Sequence, residues 1–439
     1  MNLIKDPIPH LLKKIAIPAS IGMFFNTMYY VVDNFYAGML SSTALAGISL
    51  ATPILFLGLA IAVGVGQGTN ALVGNARGEN NHHLAEKYAG HALSFSWLSA
   101  LLVGLIIWLI SPTLFAVMSA QGDYTVEALH YLSIILPTLG LMAYGMAANG
   151  ILNSQGDTTS LRNSLIVAFI ANVILDPLLM FGLDWGIYGL ATATALTQLG
   201  SATYLTMKLH QSKLSACLLV ANLKPNWIHY RALLWQSLPA STNMFLVALG
   251  SFLVTSAVAR FGENAVAGLG IALRIEQLVL LPTIGINIAV LSLVSVNFGA
   301  KQFDRMQQVA LDSIKIGTSL MVIGGIAIFI FAQPLISLFA DNLSVIKIGV
   351  SYLRVEAIIL PAYVLSFVAG AVLQGVKRPM VPMYFNVIRQ LILPLIFIVI
   401  ALTILEMGIY GIWWSVAIAT WLTASMQYIH MRNLVRQQN

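Results

Sequence analysis

Charge is scarce in this chain. Asp, Glu, Lys and Arg make up 9% of its 439 residues, and apolar side chains make up 58%. A soluble domain carries roughly 25% charged residues, so a soluble protein of this length could not cover its surface. The mean hydropathy of +0.85 points to an integral membrane protein. Cysteine is nearly absent. The single Cys217 excludes an intramolecular disulfide and reads as a small apolar residue in a connecting loop. The first residues, MNLIKDPIPHLLKK, lack a short apolar core with a small-residue cleavage site, so insertion is expected to use the mature helices. No ATPase motif and no hydrolase triad occurs. The glycine-rich GVGQGTNALVG at 64–74 follows no strand and reads as helix packing, not as a phosphate loop. His82 and His83 are not read as a metal site. We therefore expect no enzyme, no cofactor and no bound metal, with energy drawn from an ion gradient.

Long apolar runs take the place of these missing features. About 20 apolar residues span a bilayer as a helix. Runs of that length occur at 11–38, 47–74, 88–110, 125–152, 161–182 and 187–207, and again at 235–260, 267–298, 310–332, 347–374, 382–404 and 409–431. The runs are continuous, without the ten-residue alternation of a membrane barrel. The expected fold is all-α, with twelve transmembrane helices.

Lys and Arg then set the orientation. With the N-terminus in the cytoplasm, that side receives Lys5, Lys13, Lys14, Arg77, Lys87, Arg162, Lys208, Lys213, Lys224, Arg231, Lys301, Arg305, Lys315, Lys377, Arg378, Arg432 and Arg436, while the outer side receives only Arg260 and Lys347. Both termini are expected to be cytoplasmic. The net charge of +6 is explained by orientation and anionic lipid, without nucleic acid.

The longest cytoplasmic connection, QSKLSACLLVANLKPNWIHYR at 211–231, divides the chain. Its apolar part is too short to span and is expected to lie along the interface. We read a six-helix lobe at 1–210, a linker at 211–231 and a second six-helix lobe at 232–439. The lobes repeat: IPASIGMF at 17–24 matches LPASTNMF at 238–245, and ALAGISLA at 44–51 matches AVAGLGIA at 265–272, with one offset. GIYG occurs at 186–189 and 408–411. An even number of helices per copy gives parallel repeats, related by an axis along the membrane normal. Two such lobes can enclose a cavity and rock, as a transporter does.

One acid stands out. In MYYVVDNFYAG at 28–38 the only charge is Asp33, and a buried ionised carboxylate is costly unless it is paired or protonated. The doubled layout, the Pro-Ala-Ser that opens each half and the Asp33 context resemble the multidrug and toxic compound extrusion family over essentially the whole chain. YVVDNFYAG and FIANVILDPLLMFG are similar to the branch named after the DNA-damage-inducible protein F. The resemblance implies a V-shaped, monomeric inner-membrane antiporter that exports amphipathic, often cationic drugs. It implies coupling roles for Asp33 and Asp176, a bending role for Pro18, and polar positions at Asn172 and Thr194 around the acids. The sodium-coupled branch has acids in its seventh and tenth helices. Here the seventh has none and the tenth has only Glu356, which shifts weight to the first lobe and to protons.

Depth agrees with that assignment. Asp33, Asp176, Thr194 and Tyr131 each lie about five to seven residues from an outer helix end, roughly 8–10 Å deep at 1.5 Å per residue. Asn172 precedes Asp176 by four residues and shares its helix face. We expect Asp33 and Asp176 to hold a shared proton, with Asn172, Thr194 and Tyr131 completing the hydrogen bonds. Asn26, Tyr29, Tyr30 and Asp33 are spaced along one side of the first helix and, with Met23 and Met28, are expected to line a substrate cavity. Aromatic faces favour organic cations and methionines adapt. Arg274 or Arg354 is expected to pair with Glu356 or Glu276 in the second lobe. Three rivals remain. Sodium could sit on the oxygens of Asp33, Asn172, Asp176 and Thr194. A lipid-linked oligosaccharide flippase would want a basic cavity, and a membrane scaffold would need no buried acids.

Overall fold

The computed structural model describes residues 1–117 and 122–437, and among these every regular element is helical. The long helices are α1 (Ile8–Leu40), α2 (Ser42–Gly78), α3 (His82–Val117), α4 (Asp123–Ser154), α5 (Thr159–Pro177) and α6 (Gly186–His210). A short α7 (Val220–Leu223) follows. The second set is α8 (Trp227–Ala259), α9 (Glu263–Gly299), α10 (Phe303–Ser337), α11 (Leu343–Gly375), α12 (Met380–Val387), α13 (Leu393–Thr403) and α14 (Gly408–Arg436). A π turn at Leu178–Gly182 extends α5, and another at Ile388–Ile392 joins α12 to α13. Ten of these rods are long and apolar enough to cross a membrane, with Met380–Thr403 counted as one. α6 and α14, of 25 and 29 residues, also exceed the bilayer core at 1.5 Å per residue. The twelve expected spans are therefore twelve long helical rods.

The repeat is visible in the backbone. Residues with positive φ fall at matching places in the two halves: Asn80 and Lys301, Gly156 and Lys377, Asp184 and Glu406. Gly186 (φ 52°) and Gly408 (φ 59°) open α6 and α14, where the left-handed turn suits a residue without Cβ. This explains the repeated GIYG. The packing repeats as well. α4 is the hub for α2, α3 and α6, while α11 is the hub for α9, α10 and α14.

By contacts the chain forms two compact units, and they differ from the sequence division. One contains Met1–Ser20 with Thr242–Asn439, and the other contains Ile21–Ser241. The change of unit falls inside α1, two residues past Pro18, and inside α8, two residues past Pro239. The linker 211–231 lies wholly within the second of these units. Two glycines show why. A Cβ on Gly285 would collide with Ser20 Oγ and Ala16 O of α1. A Cβ on Gly64 would lie 2.6 Å from Ser241 N and 2.7 Å from Ser237 O of α8. Each first-helix segment thus packs against a second helix from the other half of the sequence, with glycine permitting the approach.

Within the Ile21–Ser241 unit, buried side chains form two main clusters. One holds Ile48, Ile54, Tyr131, Leu132, Leu136 and Met180 among others. The other holds Leu93, Ile151, Leu205, Leu209 and Cys217. The linker segment is tied to the second cluster through Leu214 and Cys217, both nearly free of solvent contact.

Candidate functional site

The acids of the Ile21–Ser241 unit meet through an amide. Asp33 on α1, and Asn172 and Asp176 on α5, are all buried. Asn172 Nδ2 donates to Asp33 Oδ1 at 2.9 Å and to Asp176 Oδ1 at 2.9 Å. The i, i+4 spacing on one helix gives the second bond, and α1 packing beside α5 gives the first. The two carboxyl groups are neighbours through this one amide.

The surrounding groups are neutral. Tyr131 on α4 and Thr194 on α6 are 5% and 6% exposed and adjoin the acids through Tyr29 and the Asp33 carboxyl. Tyr29 OH and Thr197 Oγ1 are 2.8 Å apart, and Thr197 Oγ1 donates to Thr194 O at 2.9 Å. Asn172 Oδ1, Asp176 Oδ2 and Thr194 Oγ1 are buried without a conventional hydrogen-bond partner. Of the five residues picked from the sequence for the acidic cluster, Asp33, Asn172 and Asp176 are hydrogen-bonded together; Tyr131 and Thr194 are buried nearby without a hydrogen bond to either acid, and Tyr29 and Thr197 join them. Immediately beyond Asp176, Pro177 removes a backbone donor and the helix widens into the π turn Leu178–Gly182. Such turns often accompany functional sites.

The expected cavity face of α1 is divided. Met23, Asn26 and Met28 are half-buried, and Tyr30 is 39% exposed. Tyr29 points instead into the unit, toward Thr197, and belongs to the acidic cluster. Pro18 lies inside a continuous α1, in the segment that packs with the other unit.

The Thr242-onward unit holds a second buried cluster that sequence reasoning placed only in part. Glu276 on α9 and Glu356 on α11 are buried, and Tyr352 OH donates to Glu276 Oε2 at 2.7 Å. The Glu356 carboxyl lies beside the Tyr352 and Tyr363 hydroxyls. The cation of this cluster is neither expected arginine. Arg274 and Arg354 are exposed and pair with neither glutamate among the described residues; Arg354 lies over the Phe329 ring at 5.5 Å. Each sits two residues before its glutamate, roughly 200° around the helix, so equal depth cannot bring them together. The buried cation is Arg389, from the π turn Ile388–Ile392. Its guanidinium lies 5.5 Å over Tyr363 and donates to Asn386 Oδ1 at 3.1 Å, and Asn386 Nδ2 reaches Asn243 Oδ1 at 2.9 Å. The signal in the sequence was an isolated arginine within the apolar run 382–404, since an intramembrane charge is a functional candidate by default. No group of three or more metal-ligating side chains occurs among the described residues.

Comparison with known proteins accords with this architecture. The MatE family model matches residues 18–178 and 239–400, once in each half. The FAD transporter of Shewanella oneidensis is 27% identical over 405 residues, covering 90% of this chain and 88% of that protein. The multidrug export protein MepA of Staphylococcus aureus is 23% identical, covering 96% and 92%. A solved structure described as the outward-facing conformation of a multidrug resistance MATE family transporter of the MOP superfamily matches with a TM-score of 0.93 over 100% of this chain and 98% of that one, at 22% identity. That likeness carries the fold, and the match in both halves carries the family: this chain belongs to the MatE family of multipass membrane transporters, which handle drugs and other organic compounds.

Proposed function

We propose that this transporter exports amphipathic, mostly cationic organic compounds across a bacterial inner membrane in exchange for protons. Asp33 and Asp176 form the shared proton site. The observation that carries this reading is the Asn172 amide bridging two buried carboxyls from two helices. Two adjacent carboxylates cannot both stay ionised in a dry site, so the pair holds a proton that it can take up and release. A change of protonation alters the link between α1 and α5, and α1 is the helix whose two parts belong to different units. One proton for one monovalent cation moves no net charge, so one pH unit supplies about 1.4 kcal/mol, roughly a tenfold gradient. The one-sided distribution of Lys and Arg supports a cytoplasmic location for both termini.

The test uses purified protein in liposomes loaded with a fluorescent cationic dye, under a pH gradient without sodium. Wild type should move dye and Asp33→Asn should not. Equal movement by both would reduce Asp33 to a structural role.

A second reading has its own observation. Asn172 Oδ1, Asp176 Oδ2 and Thr194 Oγ1 are buried oxygens free of conventional partners, a donor set that suits a small hard cation such as sodium. Dye movement that begins only on addition of sodium would favour it. On substrate, one relative is named for multidrug export and another for FAD, an anionic dinucleotide. The acids of the Ile21–Ser241 unit favour cations, and they also disfavour a lipid-linked oligosaccharide.

A further inference from the structure

Within the Ile21–Ser241 unit, α3 and α6 both pack on α4 and leave a groove between them. Its volume is about 940 Å³. Trp97 of α3, Leu141 of α4, and Thr203 and Met207 of α6 line it. The rim is apolar and open: Leu98 and Leu102 on α3, and Leu196 and Leu199 on α6, are exposed. Polar groups in the floor satisfy each other, with Tyr144 OH and Thr206 Oγ1 2.8 Å apart. The body of the groove thus offers contact to a hydrocarbon chain and few polar contacts.

One end is different. There His210 lines the groove, and Leu218, Leu223 and Pro225 of the linker close it. Lys213 and Lys224 stand beside these residues in the sequence and are exposed, while Lys208 turns to the Tyr204 ring, 5.6 Å away. Glu79 and Glu86 belong to the neighbouring α2–α3 region, and the charge of Glu86 reaches Cys217 of the linker. The linker also presents Trp227 and Ile228, 71% and 76% exposed, next to these lysines. Aromatic and apolar side chains interleaved with basic ones mark a segment at the headgroup level. Basic pockets between helices at the cytoplasmic face bind anionic headgroups.

We propose that this groove binds one anionic phospholipid of the cytoplasmic leaflet. An acyl chain lies along α4, and the phosphate lies at the His210 end, within reach of Lys213 and Lys224. The site is separate from the acidic cluster, and lipid binding there does not depend on which ion drives transport. It would make the linker a lipid-gripping element, joining α6 and α8 at the membrane surface.

Native mass spectrometry of the full chain tests this, with an equimolar mixture of phosphatidylglycerol and phosphatidylcholine bearing identical acyl chains. Wild type should retain one phosphatidylglycerol at least fivefold over phosphatidylcholine. Thr203→Trp and Met207→Trp each fill the groove from exposed positions and should lower retention about tenfold. Should one fail to fold, the other carries the test. Ile170→Trp, on an exposed face of α5, should leave retention unchanged. Lys213→Gln and Lys224→Gln combined should equalise the two lipids. Equal retention of both lipids by wild type, or full retention by the folded tryptophan variants, would overturn the proposal. So would displacement of phosphatidylglycerol by ethidium, with ethidium binding lost in Thr203→Trp, because the groove would then be a substrate site.

Discussion

Asn172 on α5 donates to Asp33 on α1 at 2.9 Å, joining residues 139 apart in the sequence. The same nitrogen serves Asp176, so one side chain holds both acids in register. Asn172→Ala removes two hydrogen bonds from buried carboxyl groups and should cost about 2 kcal/mol, read as a lowered thermal midpoint in detergent. It should also abolish dye movement driven by a pH gradient. Full coupling in a folded Asn172→Ala would mean that the acids act without the bridge.

Arg389 should matter more to stability than the two arginines nearer its glutamates in sequence. Arg389→Leu removes a buried guanidinium whose charge reaches Glu276 and Glu356, together with its bond to Asn386, and should destabilise by about 1–3 kcal/mol. Adding Glu356→Leu should restore much of that loss. Arg274→Gln and Arg354→Gln, both exposed, should stay within about 0.5 kcal/mol of wild type. Thermal unfolding of the four variants side by side checks the ranking.

Glycine at the crossing of α2 and α8 is irreplaceable, while glycine on the outer face of α6 is not. Gly64→Ala places a methyl against Ser241 and the Ser237 carbonyl and should cost about 1–3 kcal/mol. A Cβ at Gly200 meets nothing within 4 Å, so Gly200→Ala should be neutral or should stabilise by up to about 1 kcal/mol through helix propensity. Gly285→Ala should behave like Gly64→Ala.

Cys217 should be inert. It is fully buried, and burial, aided by the charge of Glu86, pushes its thiol up from 9.0 to about 12. The thiolate is the nucleophile, and at pH 8 almost none is present. Maleimide should label the native chain slowly and the denatured chain fully. Lys213→Cys and Asp341→Cys can then report sidedness without removal of Cys217. Labelling of Lys213→Cys from outside intact cells would reverse the orientation drawn from Lys and Arg.

Much of the acidic cluster could be read from the chain because two simple quantities suffice for it. Depth follows from counting residues to a helix end, and the i, i+4 relation of Asn172 and Asp176 fixes a shared face. The same counting failed for Arg274 and Arg354, where depth was right and phase was ignored. Arg389 escaped for another reason. It sits in a π turn, where the extra residue per turn shifts the helical phase, and nothing local in the run around it announces that turn. Tyr29 was placed with the cavity because it shares a loose stripe with Asn26 and Tyr30, whereas its hydroxyl finds Thr197 on a helix 168 residues away in sequence. The twelve spans and the repeat were legible because bilayer thickness and internal similarity are written directly in the residues. The exchange of helix ends between units was not, because it depends on two close contacts of glycine.

That exchange bears on how a doubled chain of this kind can be built. A half-length chain cut within 211–231 lacks part of the unit it mainly forms, since Met1–Ser20 and the start of α8 each complete the other unit. Two such halves are therefore related as domain-swapped partners, each lending the first part of its opening helix to the other. Two fragments divided within 211–231 should reassemble on co-expression, and neither should be stable alone.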